Sequence, residues 1–172
     1  MATTDQLTAY EIRPIDPAAV AELRLRDDAG RSPRLLTETK GGSPLRCCLR
    51  RIFPGERVAL VSYSPLRRWA AQTWANPGPY DETGPVFIHP CTCPGPSGGG
   101  YPAGLAGAPR VFRAYHAGGR ILGGRLFGVG EPAGAGAAQA VLTEMFADPE
   151  VALIHVRAVE FGCFLFEARR RP

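Results

Sequence analysis

The sequence predicts an α+β fold built around a largely antiparallel β-sheet. Segments rich in β-branched and aromatic residues are joined by short turns, and the clearest pair, 110–116 and 120–127, flanks Ala117-Gly118-Gly119. Only two stretches carry helical signals. We therefore expect a sheet of about seven strands built from hairpins, with two helices packed on it.

The length favours a single domain. A chain of 172 residues can bury one full core but is short for two. We expect that core to span about residues 8–169, with surface loops at 31–44 and 94–104 where Gly and Pro concentrate.

The individual elements are justified in chain order by local signals. Asp16 followed by Pro17 is a helix start, and Pro54-Gly55 is a turn between 45–53 and the strand-forming run 57–63. The predicted elements are a strand at 9–13, a helix at 17–26, a hairpin of 45–53 with 57–63, an irregular segment at 66–80, a strand at 86–88, the hairpin of 110–116 with 120–127, a helix at about 133–146, and a closing hairpin of 151–157 with 161–166.

Composition excludes several functional classes. The net charge is +4, but the arginines are scattered and no aromatic-basic motif accompanies them, which argues against nucleic acid as a partner. No apolar run approaches the roughly 18–20 residues of a membrane span, and the N-terminus lacks the pattern of a signal peptide. We expect a soluble cytoplasmic protein without a membrane partner, whose five cysteines are reduced thiols.

Candidate chemistry concentrates at the end of the strand that begins at Gly84. If the backbone after it stays extended, His89, Cys91 and Cys93 lie on one face. These residue types suit a zinc or other transition-metal site, for which Cys48 and Cys163 are further candidate ligands.

The same residues also suit thiol catalysis. Either Cys91 or Cys93 would be the nucleophile, with His89 or His155 as its base. The alternative is an exposed loop thiol without a role.

Arginine and histidine on the later strands suggest an anion site. Arg113 and Tyr115 share one strand face, as do His155 and Arg157 on the closing hairpin, whose turn near residue 159 is expected to place Cys163 opposite His155. Arginines in a sheet concavity suit a carboxylate or phosphate, although a solvated outer face is the more common position of such a residue in an antiparallel sheet.

Nucleotide cofactors are not indicated. The glycines at 98–100 and the pair Gly128 and Gly130 lack the spacing and the Lys-Ser/Thr ending of phosphate-binding loops.

Four segments together resemble a bacterial family known as domain of unknown function 1203, over roughly residues 8–169. They are 46–50 with the following Pro54-Gly55-Glu56, then 84–89, 155–157 and 162–164. Similar sequences read Cys-Arg-x-Cys-Leu-Arg in the first segment, which matches Arg46, Cys48, Leu49 and Arg50, but Leu45 stands at the first Cys, so this chain has no Cys-x-x-Cys pair there.

The resemblance also covers His89, Cys93, His155, Arg157 and Cys163, while Ala158 stands where similar sequences often carry Asn. It implies no activity.

Three hypotheses follow. The leading one is an enzyme acting on a small anionic metabolite, with His89, Cys93 and His155 catalytic and Arg113, Tyr115 and Arg157 binding the substrate. The second is a non-catalytic ligand-binding or interaction module, for which a homodimer is one arrangement. The third is a structural zinc protein.

Overall fold

The computed structural model describes residues 8–172, which form two antiparallel sheets and three α-helices. The five-stranded sheet has the order β1-β8-β7-β5-β6, and the three-stranded sheet the order β2-β3-β4. In chain order the elements are β1 (Tyr10–Arg13), α1 (Pro17–Leu23), β2 (Arg34–Glu38), β3 (Glu56–Tyr63), α2 (Pro65–Thr73), β4 (Gly84–Ile88), β5 (Arg110–His116), β6 (Ile121–Phe127), α3 (Ala135–Phe146), β7 (Val151–Ala158) and β8 (Phe164–Arg170).

The predicted α+β class with antiparallel hairpins is confirmed, including the β5–β6 and β7–β8 hairpins. The arrangement differs, because the strands form two sheets rather than one and number eight among residues 8–172. The predicted loop at 31–44 contains β2, an edge strand whose polar and half-exposed residues resemble a loop.

Two further expectations about the elements are wrong. Residues 45–53 do not form a hairpin with β3, whose partners are β2 and β4; the chain turns there, and Leu49 adopts a left-handed backbone with φ of 57°. The segment predicted as irregular contains α2, which buries Leu66, Trp69 and Ala70 at helical spacing.

The helices cover the sheets from different sides. On the five-stranded sheet, α3 packs against the face that carries Phe112 and Ile154, whereas α2 packs against Tyr115 and Leu153 on the other face. Helix α1 shares a core with the three-stranded sheet. None of the helices in residues 8–172 is long and apolar enough to cross a membrane.

A turn at residues 45–50 joins the two sheets. The backbone N–H of Arg46 donates to Phe87 O in β4 (3.0 Å), and its guanidinium Nε donates to Phe164 O in β8 (2.8 Å). The turn closes through bonds from Leu45 N to Arg50 O and from Leu49 N to Leu45 O. Cys47 and Cys48 are therefore held beside the end of β4.

The approach to this turn depends on two glycines with different surroundings. Both have positive φ, but a Cβ on Gly41 would lie 2.8 Å from Ile52 O and 2.9 Å from Pro54 N, whereas a Cβ on Gly42 meets nothing within 4 Å.

We predict that Gly41→Ala lowers the free energy of unfolding by about 1–3 kcal/mol more than Gly42→Ala, because only a Cβ at position 41 would push the neighbouring backbone away. Urea unfolding of the two variants measures the difference, and equal losses would contradict the packing described here.

Candidate metal centre

Four side chains from three separate segments converge at the end of β4. Cys47 and Cys48 come from the 45–50 turn, His89 directly follows β4, and Cys93 lies on the loop beyond it. Their ligand atoms, three Sγ and one imidazole nitrogen, all lie within 4.8 Å of one another. The structure thus brings together ligand types that bind transition metals.

The His89 ring presents Nδ1 to the thiols. Nδ1 lies 3.2 Å from Cys47 Sγ and 3.8 Å from Cys48 Sγ, and the backbone N–H of His89 donates to Cys47 Sγ at 3.3 Å. Both the ring and the backbone of His89 therefore form polar contacts with the cysteine pair.

The other ring nitrogen of His89 faces an ion pair. Nε2 lies 3.0 Å from Glu56 Oε1 and 2.9 Å from Arg50 Nη2, while Arg50 donates to both carboxylate oxygens of Glu56 (2.5 and 3.0 Å). The hydrogen bonds from Arg50 lower the pKa of Glu56 to about 2, with further help from the N–H of Phe53. Glu56 is thus an ionised hydrogen-bond acceptor on the Nε2 side of the imidazole, away from the thiols.

The chain turns sharply after His89. Arg24, at the end of α1, donates from Nε to His89 O (3.0 Å) and from Nη2 to Cys91 O. The backbone therefore does not stay extended after His89, which was the condition for His89, Cys91 and Cys93 to share one face. Cys91 is exposed and lies outside the four-residue cluster.

The paired thiols have unequal acidity. The hydrogen bond from Cys47 lowers the pKa of Cys48 to about 6 even though burial opposes this, and the same bond, together with burial, raises the pKa of Cys47. One thiolate of the pair thus forms readily, and thiolates are the form in which cysteines bind metals.

A surface cavity of about 430 Å³ opens beside the cluster and is lined by Cys48, Arg50, His89 and Cys93. The exposed Cys91 and the loop that follows complete its wall. Small molecules can therefore approach the cluster from this side.

His155, expected at the same site, lies elsewhere. Its ring is fully buried in the five-stranded sheet, with its centroid 4.7 Å from that of Tyr115 and 5.2 Å from that of Phe164. The residue opposite it on β8 is Glu167, not Cys163 as expected, because Cys163 precedes β8 in the tight turn.

The predicted substrate-binding arginines meet a carboxylate of the chain itself. Arg113 and Arg157 both reach Glu82 Oε2, at 2.8 and 3.2 Å, and Tyr115 beside them is buried. No hydrogen bond or ion pair in residues 8–172 links these three to His89. Arg157 and Cys163 instead line a separate cavity of about 350 Å³.

Three members of the site were not predicted from the sequence: Arg50, Glu56 and Arg24. Cys47 was noted beside Cys48, but only Cys48 of the pair was predicted as a ligand. Arg50 and Glu56 lie in the segments that carry the family resemblance, which was the available signal. Nothing local marks Arg24, since its role depends on where α1 ends relative to β4.

Comparison with known proteins identifies the family. A family model described as a protein of unknown function, DUF1203, matches residues 42–170, which include all four members of the cluster. No curated protein and no solved structure matches the chain.

Burial of His155 generates a prediction about acid stability. Burial, with the charges of Arg157, Arg113 and Arg169, lowers the pKa of His155 well below 6.5. Below pH 6.5 the imidazole of His155 is therefore protonated in the unfolded chain but stays neutral in the folded chain. The free energy of unfolding should fall through this range by up to about 1.4 kcal/mol per pH unit.

His155→Leu should remove this contribution, whereas His116→Gln at the partly exposed end of β5 should keep it. Burial also raises the pKa of the neighbouring Glu167, which acts in the opposite direction, so the difference in slope between wild type and variant is the quantity to measure. Denaturant unfolding between pH 5 and 8 supplies it. Identical slopes in wild type and His155→Leu would refute a neutral buried imidazole.

Proposed function

The chain belongs to DUF1203, a family described only as a protein of unknown function, and from its side-chain geometry we propose that it binds one zinc ion through Cys47, Cys48, His89 and Cys93. The observation that carries the proposal is the mutual proximity of four ligand atoms within 4.8 Å. In tetrahedral zinc sites, with bonds of roughly 2.0–2.3 Å, ligand atoms stand about 3.3–3.8 Å apart. Small side-chain rotations suffice to close the cluster on an ion.

The surroundings of His89 support this proposal. A metal on Nδ1 leaves the only ring proton on Nε2, where the ionised Glu56 lies at hydrogen-bonding distance (3.0 Å). Arg50 Nη2, which is 2.9 Å from the same nitrogen, would then donate to Glu56 alone. Histidines that bind metals commonly donate their second N–H to a carboxylate in this way, which fixes the tautomer and raises the basicity of the ligand. Arg50 in turn holds Glu56 in place.

The ligand set indicates the kind of metal and its role. Three thiolates with one imidazole are typical of zinc, and four protein ligands complete a tetrahedron without an open position. The ion would then be structural. It would fasten the loop that carries Cys93 to the 45–50 turn and to the end of β4.

A second candidate function is thiol chemistry in the metal-free protein. Cys47 and Cys48 face His89 Nδ1 while Glu56 faces Nε2, an arrangement of nucleophile, base and orienting carboxylate. The adjoining cavity of about 430 Å³ offers room for a small substrate, with Arg50 as a cation in its wall. Metal binding and this chemistry exclude each other, since both use the Nδ1 lone pair. The third thiol, Cys93, favours the metal.

Metal content tests the first proposal. Protein purified under reducing, chelator-free conditions should contain one zinc per chain by elemental analysis, and Cys48→Ser or Cys93→Ser should lose it because each removes a thiolate ligand. Cys91→Ser and Cys163→Ser are matched controls, since both thiols lie outside the cluster, and they should retain the metal.

If a ligand variant does not fold, cobalt substitution of the wild type gives an independent readout. Co²⁺ should produce the visible bands of a tetrahedral site with thiolate charge transfer. The zinc proposal would be refuted if the wild-type protein contained no metal as purified and also gave no such bands with Co²⁺. Thiol chemistry would then be tested by the rate at which iodoacetamide labels Cys48 in wild type and in His89→Ala.

Glu56 generates a separate prediction about affinity. Glu56→Ala should weaken zinc binding about 10- to 100-fold, because the imidazole loses the group that holds its proton and orientation. Competition against a chromophoric chelator measures the affinity. Glu160→Ala, which removes an exposed carboxylate outside the cluster, should bind zinc like the wild type. Equal affinity in both variants would remove Glu56 from the site.

A further inference from the structure

A second cavity, lined by Arg46 of the 45–50 turn, contains none of the four residues of the Cys/His cluster. Its volume is about 580 Å³, and its walls come from both sheets. Apolar side chains such as Phe87 and Leu165 form much of the wall, and two arginines, Arg46 and Arg110, also contribute. This combination of apolar wall and buried cations calls for an explanation.

Both arginines are buried without a counter-charge. Each is only 4% exposed, and neither forms an ion pair with a carboxylate within residues 8–172. Glu160, the one carboxylate lining the cavity, is exposed and does not reach either of them. Buried charges are costly unless they are paired, so two such cations in one cavity wall leave positive charge without a balancing anion.

Neutral carbonyls hold both guanidinium groups in place. Arg46 donates to Phe164 O and Pro44 O, and Arg110 donates to Pro109 O (2.8 Å) and Leu105 O (2.9 Å). These bonds orient the groups but do not neutralise them.

One donor is left over. The Nε of Arg110 is buried and has no hydrogen-bond partner among the described residues. An orphaned N–H on a buried cation is rare in proteins and costs free energy unless a ligand or ion satisfies it.

The two cations also influence each other. Arg46 and Arg110 line the same cavity, so their like charges repel each other. A bound anion would relieve the repulsion between the arginines.

We propose that this cavity binds a small organic anion, with its carboxylate or phosphate group at Arg46 and Arg110 and its apolar body against Phe87 and Leu165. The volume exceeds the need of an inorganic ion, and the apolar wall suits a hydrocarbon or aromatic body. Guanidinium groups held in a fixed orientation bind such head groups through charge-assisted hydrogen bonds. The site is distinct from the zinc cluster and does not depend on it.

The test is calorimetric titration of the protein as purified, at constant ionic strength, with four probes: phenylacetate, phenyl phosphate, the neutral analogue phenylacetamide, and inorganic phosphate. One or both organic anions should bind at one site per chain, and the better of them identifies the head group. Phenylacetamide and inorganic phosphate should bind at least about tenfold more weakly, because phenylacetamide lacks the negative charge and inorganic phosphate lacks the apolar body. Equal binding of phenylacetate and phenylacetamide, or no binding of either organic anion, would overturn the proposal.

Variants locate the site. Arg110→Gln should weaken binding of the better probe about tenfold or more, whereas Arg57→Gln, which removes an exposed positive charge from β3, should leave it unchanged. Ala108→Phe adds a large side chain to the cavity wall while keeping both arginines, and it should also abolish binding. If Arg110→Gln does not fold, Ala108→Phe carries the test. Binding that survives in folded Ala108→Phe would place the anion elsewhere and refute the assignment.

Discussion

Arg46 makes the contacts on which both candidate sites depend. Its backbone binds β4 through Phe87 O, its carbonyl accepts from the N–H of Ile15, and its guanidinium binds β8 through Phe164 O. These bonds join the two sheets across a turn whose left-handed Leu49 reverses the chain. As a result, Cys47 and Cys48 lie in the Cys/His cluster, and the Arg46 side chain lies in the wall of the cavity of about 580 Å³.

The two candidate sites differ in how their charges are balanced. At the cluster, the Glu56 carboxylate forms an ion pair with Arg50 and lies 3.0 Å from the imidazole Nε2 of His89, so the charge of Arg50 is balanced within the chain. In the cavity of about 580 Å³, Arg46 and Arg110 donate to carbonyl oxygens and have no carboxylate partner among residues 8–172. The first arrangement is that of a self-contained structural site, and the second leaves room for a ligand to supply the missing charge.

Together the proposals describe a module in which a metal stabilises the framework and a separate cavity performs recognition. A closed set of three thiolates and one imidazole has no open position for a substrate, so zinc at the cluster would act through structure. The arginines favoured by the strand pattern, Arg113 and Arg157, already share Glu82, which weakens their attraction for an external anion. The buried pair Arg46 and Arg110 has no such competitor in residues 8–172.

The amino-acid sequence by itself determined the elements whose signals are local. The turn at Ala117-Gly118-Gly119, the cap formed by Asp16 with Pro17, and the end of β4 at His89 all depend on neighbouring residues, and all are found in the structure. Edge strand β2 was not predicted because its residues alternate only between exposed and half-buried positions and include polar side chains. Its pairing partner, β3, also lies about twenty residues further along the chain.

Only the tertiary structure decided which chemical groups meet. The connection between the end of β7 at Ala158 and the start of β8 at Phe164 is centred further along the chain than the predicted turn near residue 159, so Glu167, not Cys163, lies opposite His155. The convergence of Cys47, His89 and Cys93, and the burial of Arg46 beside Arg110, depend on how two sheets pack across one turn. Such contacts join residues far apart in the chain, and periodicity along one segment carries no information about them.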